Sequence, residues 1–249
     1  MKGIIDSGKC KAEDIWTSDA SEAALAIRKE EMEVNTTTDN KEVAEKVNVL
    51  FLAVKPQYYE AVIKEIAPVV NDKQIIVTIA PGKTLEWLAA TFGKDLKIIR
   101  TMPNTPAMVK EGMMALCPNA NISDSDLEIV RDICSGFSNT EVVAENLMDV
   151  VTAVSGSSPA YVFMFIEAMA DAAVADGMPR ASAYKFAAQA VLGSAKMVLE
   201  TGKHPGELKD MVCSPGGTTI EAVRVLEEKG MRSAVFEAMK ACVKKSKGM

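Results

Sequence analysis

Val47-Asn48-Val49-Leu50-Phe51-Leu52-Ala53-Val54, followed by Lys55-Pro56, decides the fold class. The first eight residues are nearly continuous in apolar side chains, which a strand covered on both faces requires and a half-exposed strand does not. They read as a central strand of a sheet with helices on either side. Lys55-Pro56 ends the strand, because proline has no N–H for a ladder and biases the residue before it away from helix. A defined loop therefore begins at the carboxyl end of this strand.

Outward from this segment, short β-rich runs alternate with helical patterns from residue 14 to about residue 145. The predicted strands are Asp14–Ser18, Met32–Thr36, Val47–Val54, Gln74–Ile79, Leu96–Met102, Gly112–Pro118 and Thr140–Ala144. Such alternation is the βαβ signature of an α/β fold with a doubly wound parallel sheet. After Ala144 the strand signal stops, and Glu145 to Gly248 reads as helix after helix, punctuated at SGSSP, GMP, TGKHP and CSPGG. The composition shift predicts two domains, residues 1–145 and 146–249. Segments such as Ala168–Ala175 and Ala187–Val191 carry small apolar residues on most faces, more than one layer of helices can hide. Burial against a second copy of the chain, a helical homodimer, is the expectation.

The remaining composition narrows the function. With 249 residues, 48% of them hydrophobic and 25% charged, the chain has the make-up of an ordinary folded protein. A net charge of -6 offers no electrostatic footprint for nucleic acid or an anionic membrane surface. The five cysteines lie far apart with no CxxC pair, which fits free thiols in a reducing compartment and argues against structural zinc. The first residues, MKGIIDSGKCKAED, contain no apolar run of signal-peptide length, so a cytoplasmic location is expected. Tyr161–Val174 is interrupted by Glu167 and Asp171 and falls short of the roughly 20 residues of a bilayer span. It reads as a buried core helix.

Three groups of residues could carry chemistry. In Cys213-Ser214-Pro215-Gly216-Gly217-Thr218-Thr219, Ser-Pro reads as an N-cap with proline at the first helical position, and the glycines expose backbone N–H groups at the positive end of a helix. That is the requirement of an anion site; a plain kinked cap between helices fits the spacing equally well. The loops after predicted strands, Ala53–Gln57, Ile79–Gly82 and Arg100–Pro106, lie where open α/β sheets bind ligands, although prolines also simply end strands. Thr152–Tyr161, through Ser155-Gly156-Ser157-Ser158-Pro159, is a small-residue break that reads better as a helix–helix turn than as a place of close ligand approach. The sole histidine, His204, precedes Pro205 and suits a solvated cap. No metal-ligand set, Ser/His/Asp set or P-loop is present. Hydride transfer from a cofactor suits this inventory.

In order along the chain, VLFLAVKPQ, RTMPNTPA, VSGSSPAYVF, ADGMPR and HPGELKDMVCSPGGTTIEA resemble the pyrroline-5-carboxylate reductase family, from about Asp14 to near the C-terminus. The resemblance implies a Rossmann-like nucleotide-binding domain followed by an interlocked all-helical dimerisation domain, with dimers assembled further, commonly into decamers. It implies reduction of 1-pyrroline-5-carboxylate to L-proline. Ser214, Gly216, Gly217, Thr218 and Thr219 correspond to the cradle of the substrate carboxylate, with Thr218 standing where relatives often have alanine. Thr152 corresponds to a hydroxyl near the substrate ring nitrogen. Ala53, Val54, Lys55 and Pro56, with Met102, Pro103 and Asn104, correspond to dinucleotide contacts; Ser18 and Asn40 to groups around the adenosine ribose and its phosphate. NADPH is the cofactor the resemblance favours, and NADH stays open: Asp19 sits where an acidic residue can bind an NAD ribose, and no arginine immediately follows it.

The start of the chain departs from the family pattern. A dinucleotide fold needs a first strand and a GxGxxG turn, and here Gly3–Lys9 reads as the tail of the first helix, so strand and glycine loop are expected to be absent. An omitted stretch, a misassigned start codon or a true truncation would each give this pattern, and the intact remainder favours the first two. A catalytically silent dimeric relative, or a related imine or β-hydroxyacid dehydrogenase, stays open as an alternative.

Overall fold

The computed structural model describes residues 1–248. The chain divides into two compact units, Met1–Ser157 together with the segment from Cys242 onward, and Ser158–Ala241.

The first unit carries α1 (Lys2–Asp6), β1 (Trp16–Ser18), α2 (Glu22–Met32), β2 (Asn35–Thr37), α3 (Asn40–Lys46), β3 (Val49–Leu52), α4 (Tyr59–Ile66), β4 (Ile75–Thr78), α5 (Leu85–Phe92), β5 (Lys97–Met102), β6 (Gly112–Pro118), α6 (Asp124–Ser135), β7 (Ser138–Val142) and α7 (Met148–Val151). All seven predicted strands are present, Gly112–Pro118 residue for residue. β3 is shorter than its apolar run because Val47 serves as the C-cap of α3.

β1 and β2 form a two-stranded parallel sheet, and the other five strands a sheet in the order β3-β4-β5-β6-β7. These are the halves that a first strand would join in the doubly wound order 3-2-1-4-5-6. One pairing corrects the expectation of a parallel sheet: β6 runs antiparallel to β5, with Arg100 opposite Cys117. The connection, residues 103–111, is shorter than the dozen or so residues a parallel crossover needs.

Ile75, Ile76, Val77 and Thr78 of β4 are all buried, as a strand covered on both faces should be. One face packs Ile76 and Ile98 with Tyr59, Ile63 and Ile66 of α4 and Leu88 of α5. The other packs Val77, Ile99 and Leu116 with Val130 and Cys134 of α6. Helix starts follow capping rules: Ser21, Thr84 and Ser123 each accept a backbone N–H, and Ser123 with Asp126 forms a capping box.

The break expected at Thr152–Tyr161 is not one. Thr152–Gly156 is a π-helical turn directly after α7, and the helical run Glu145–Ala175 continues for 31 residues, with an 18-residue stretch of mean hydropathy 1.2. By length and composition that run could cross a bilayer, which corrects the shorter span read from Tyr161–Val174.

The second unit holds α8 (Ser158–Ala175), α9 (Arg180–Thr201), α10 (Pro205–Val212), α11 (Thr218–Glu228) and the start of α12 (Met231–Ser246). Its helices bury Ala170, Ala183 and Ala187 and little else. α8 is therefore not a buried core helix of the single chain. Phe163, Phe186 and Leu199 are 62%, 69% and 81% exposed. Burying a large apolar side chain is worth about 1.5–3 kcal/mol, so a unit that leaves these in water lacks a core of its own and needs another chain to supply it.

Candidate active site

The first cluster forms where β5 ends. Met102 is the last residue of β5, and Asn104 follows it in the turn at Pro103. Asn104 donates through Nδ2 to the Ser155 carbonyl at 3.1 Å and accepts the Met113 N–H at 2.9 Å. Both ends of its amide are thus used to hold the strand-end turn against the π-helical turn. Gly156 gives the Met102 tip its room: a Cβ there would lie 2.6 Å from Met102 Cε, so the methionine end would have to move. Thr152, also in the turn, donates its hydroxyl proton to the Met148 carbonyl at 3.0 Å. Its oxygen lone pairs stay available to accept. Met102, Asn104 and Thr152, far apart in sequence, are brought together by one glycine and one amide. The segment that reads as a helix–helix turn is a π-turn, a feature frequent at functional sites.

The end of α12 returns to the same place. Ser246 donates to Asp149 at 2.6 Å, and the Cys242 thiol donates to the Ser157 hydroxyl at 3.4 Å.

Ser18 closes β1, and Asn40 opens α3. The Ser18 hydroxyl donates to Asn40 Oδ1 at 2.7 Å, and Asn40 Nδ2 donates to Glu65 at 2.9 Å. Asp19 beside them accepts the Ser21 N–H at 3.0 Å and meets Arg28 at 2.9 Å. These contacts, the Ser21 amide foremost and the guanidinium next, lower the Asp19 carboxyl below its usual range. Arg28 is a residue that sequence adjacency misses. The signal was its place two turns into the helix that Ser21 caps, on the face that returns to Asp19.

After β3 the chain bends at Val54, and extended Lys55 leads into a short 3₁₀ segment, Pro56–Tyr58. Arg100, buried in β5, pairs with Glu145 at 3.0 Å, and Glu145 also accepts the Leu85 N–H at 2.7 Å. This fastens the first turn of α5 to the strand beneath it.

In the second unit, Ser214–Gly217 is a turn, not the first turn of a helix. The Gly217 N–H bonds the Ser214 carbonyl at 3.0 Å, and Gly216 has φ +67. Proline second and a left-handed glycine third define a type II turn. Helix α11 therefore begins at Thr218 with Gly217 as N-cap. The Gly217 position tolerates no side chain, since a Cβ would lie 2.4 Å from Ser214 Oγ and 3.1 Å from the Ser214 carbonyl. Exposed N–H groups at Thr218 and Thr219 thus open an 11-residue helix beside the Ser214 hydroxyl. His204 caps α10, accepting the Gly206 N–H at 3.0 Å.

The strand-end loops and the polar pair at the end of β1 fit a nicotinamide dinucleotide at its two ends. A glycine-rich pyrophosphate turn is not among the described residues. An α/β unit of this strand order, followed in the chain by a helical unit, is an architecture found in NAD(P)-dependent oxidoreductases. A family model of pyrroline-5-carboxylate reductase dimerisation matches residues 145–249, and one of coenzyme F420-dependent NADP oxidoreductases matches residues 1–82. The pyrroline-5-carboxylate reductase of Escherichia coli (strain K12) is 56% identical over 99% of this chain and 91% of its own length. A pyrroline-5-carboxylate reductase structure from Coxiella burnetii superposes with a TM-score of 0.92 at 32% identity, covering 99% of this chain and 93% of that one. The Plasmodium falciparum pyrroline carboxylate reductase, solved with NADP bound, gives 0.89 at 31% identity, covering 99% and 91%. The chain belongs to the pyrroline-5-carboxylate reductase family. It is an NAD(P)H-dependent oxidoreductase of proline biosynthesis that reduces 1-pyrroline-5-carboxylate to L-proline, and it self-associates through its helical domain.

Proposed function

We propose that NADPH is the preferred reductant and that residues 1–145 bind it while residues 146–249 bind the substrate and dimerise. Ser18 and Asn40 receive the adenosine ribose and its phosphate, with Arg28 as the cation at hand. Ala53, Val54, Lys55 and Pro56, with Met102, Pro103 and Asn104, would hold the nicotinamide end of the dinucleotide along the strand ends. The bound reduced nicotinamide supplies a hydride to the electrophilic carbon of the protonated cyclic imine. Thr152, its proton committed to Met148, accepts from the imine N–H and orients the ring. The substrate carboxylate takes the N–H groups of Thr218 and Thr219 and the Ser214 hydroxyl, with Gly216 and Gly217 shaping the turn that presents them, where the dipole of α11 favours an anion. Positioning and electrostatics carry the catalysis, because no strong side-chain acid or base is needed.

The observation that carries this reading is the junction of Met102, Asn104, Ser155 and Gly156, which holds a strand-end loop beside Thr152. Dimers assemble into a decamer in the cytoplasm, acting on a small molecule, without nucleic-acid or membrane partners; the negative net charge supports the former exclusion. Steady-state kinetics with both reductants test the reading. NADPH should give the higher kcat/KM, Arg28→Ala should narrow the ratio, and Thr152→Ala should lower kcat/KM for pyrroline-5-carboxylate. An NADH preference in the unmodified chain, or an unaffected Thr152→Ala variant, contradicts it.

A further inference from the structure

Tyr59, the first residue of α4, is fully buried, and its hydroxyl does something that packing alone does not require. It donates to the Leu52 carbonyl at 2.5 Å and accepts the Ile79 N–H at 3.1 Å. Leu52 is the last residue of β3, and Ile79 is the first after β4. The ladder between these strands ends at Leu52 and Thr78. The phenol oxygen thus adds one side-chain rung beyond the last main-chain pair. It sits where the Ala53–Pro56 loop and the loop through Ala80, Pro81 and Gly82 both begin.

We infer that Tyr59 is a positioning residue for the nucleotide: by tying the exits of β3 and β4 together, its hydroxyl sets the spacing of two strand-end loops and hence the affinity for NAD(P)H. This rests on the assignment of the β3 loop to the cofactor made above. Burial holds the phenol up at about 12, against the pull of the Ile79 and Ala80 amides. The hydroxyl therefore stays protonated, and the rung intact, throughout the neutral range. Tyr58, its neighbour, points to solvent and is 56% exposed. Only the second of the two adjacent tyrosines can do this work.

Tyr59→Phe keeps the ring and removes the oxygen, leaving the Leu52 carbonyl and the Ile79 N–H without that partner. NADPH Kd by calorimetry and KM should rise about tenfold, while KM for pyrroline-5-carboxylate and kcat at saturating NADPH stay within twofold. A purely structural role would instead lower the active fraction and leave the two KM values in proportion. Linkage supplies a second measurement in the unmodified protein, independent of whether the variant folds. NADPH should slow hydrogen exchange at the Ile79 amide at least tenfold, and pyrroline-5-carboxylate alone should not. Tyr58→Phe should change neither quantity. An unchanged NADPH Kd in folded Tyr59→Phe, or unchanged Ile79 exchange on NADPH binding, overturns the inference. Failure of the unmodified chain to bind NADPH at all overturns the cofactor assignment, and the role of Tyr59 with it.

Discussion

Replacing Gly156 by alanine puts a methyl group 2.6 Å from Met102 Cε. Carbon atoms prefer about 3.5–4.0 Å, so the two must separate by about 1 Å. The yielding partner is the tip of an unbranched, flexible side chain, and its adjustment costs about 1 kcal/mol or less. Alanine returns about 0.5–1 kcal/mol over glycine within a helix. The terms nearly cancel, and at about 2–4 °C per kcal/mol the melting temperature should move by no more than about 3 °C. The site has no such compensation. Met102 stands at the proposed nicotinamide end, where a displacement of about 1 Å can cost on the order of 10²-fold in rate. The assay is kcat/KM with NADPH beside a thermal melt, for Gly156→Ala, Met102→Ala and the double variant. Gly156→Ala should lower kcat/KM about 10- to 100-fold in the normal background. It should cost almost nothing once Met102 is already alanine, because the methyl then meets no side chain. Full activity in the single variant, or equal losses in both backgrounds, would refute the reasoning.

Three further outcomes follow from the same geometry. Glu145→Ala leaves the buried Arg100, whose side chain is 8% exposed, without its carboxylate and the Leu85 N–H without its acceptor. With Glu145 itself 35% exposed, a loss of about 2–3 kcal/mol is expected, read as a melting temperature lowered by about 5–10 °C. Asp126 is held down to about 2 by the Ser123 hydroxyl, Lys97 and the Ser123 amide, below its ordinary value of 3.8. Its folded pKa is depressed, so its contribution is present above about pH 4 and is lost as pH falls towards 2. Asp126→Asn should therefore lower stability at pH 6 and flatten the acid limb of the melting profile. Gly217→Ala crowds the Ser214 hydroxyl and carbonyl, and should raise KM for pyrroline-5-carboxylate at least tenfold while NADPH Kd stays unchanged.

The apolar run at Val47–Val54 and the alternation around it made the α/β half legible, because double-sided burial leaves an unmistakable composition. Alternation of strands and helices alone points to a parallel β6, although residues 103–111 announce the antiparallel pairing by their shortness. Ser214-Pro215 does not by itself choose between a helix start and a turn, because serine before proline suits an N-cap and a type II turn alike. Gly216 at the third position decides for the turn, and its φ of +67 is the reason. The π-turn at Thr152–Gly156 had no local signature, since Gly156 is explained only by Met102, which lies 54 positions earlier. Arg28 and Tyr59 were hidden for the same reason: each acts on a partner that only the folded chain supplies. The need of the second unit for a partner is visible in the sequence as an excess of small apolar residues on most faces of its helices. The exposed Phe163, Phe186 and Leu199 give it physical form.

The central claim is reduction of the cyclic imine by this chain, and the direct test follows both reactants of one mixture. The purified 249-residue chain is incubated with pyrroline-5-carboxylate and NADPH, and NADPH oxidation is compared with L-proline formed. One L-proline per NADPH oxidised, with the rate proportional to protein, is the predicted result. A folded, self-associated chain that forms no L-proline would contradict the account.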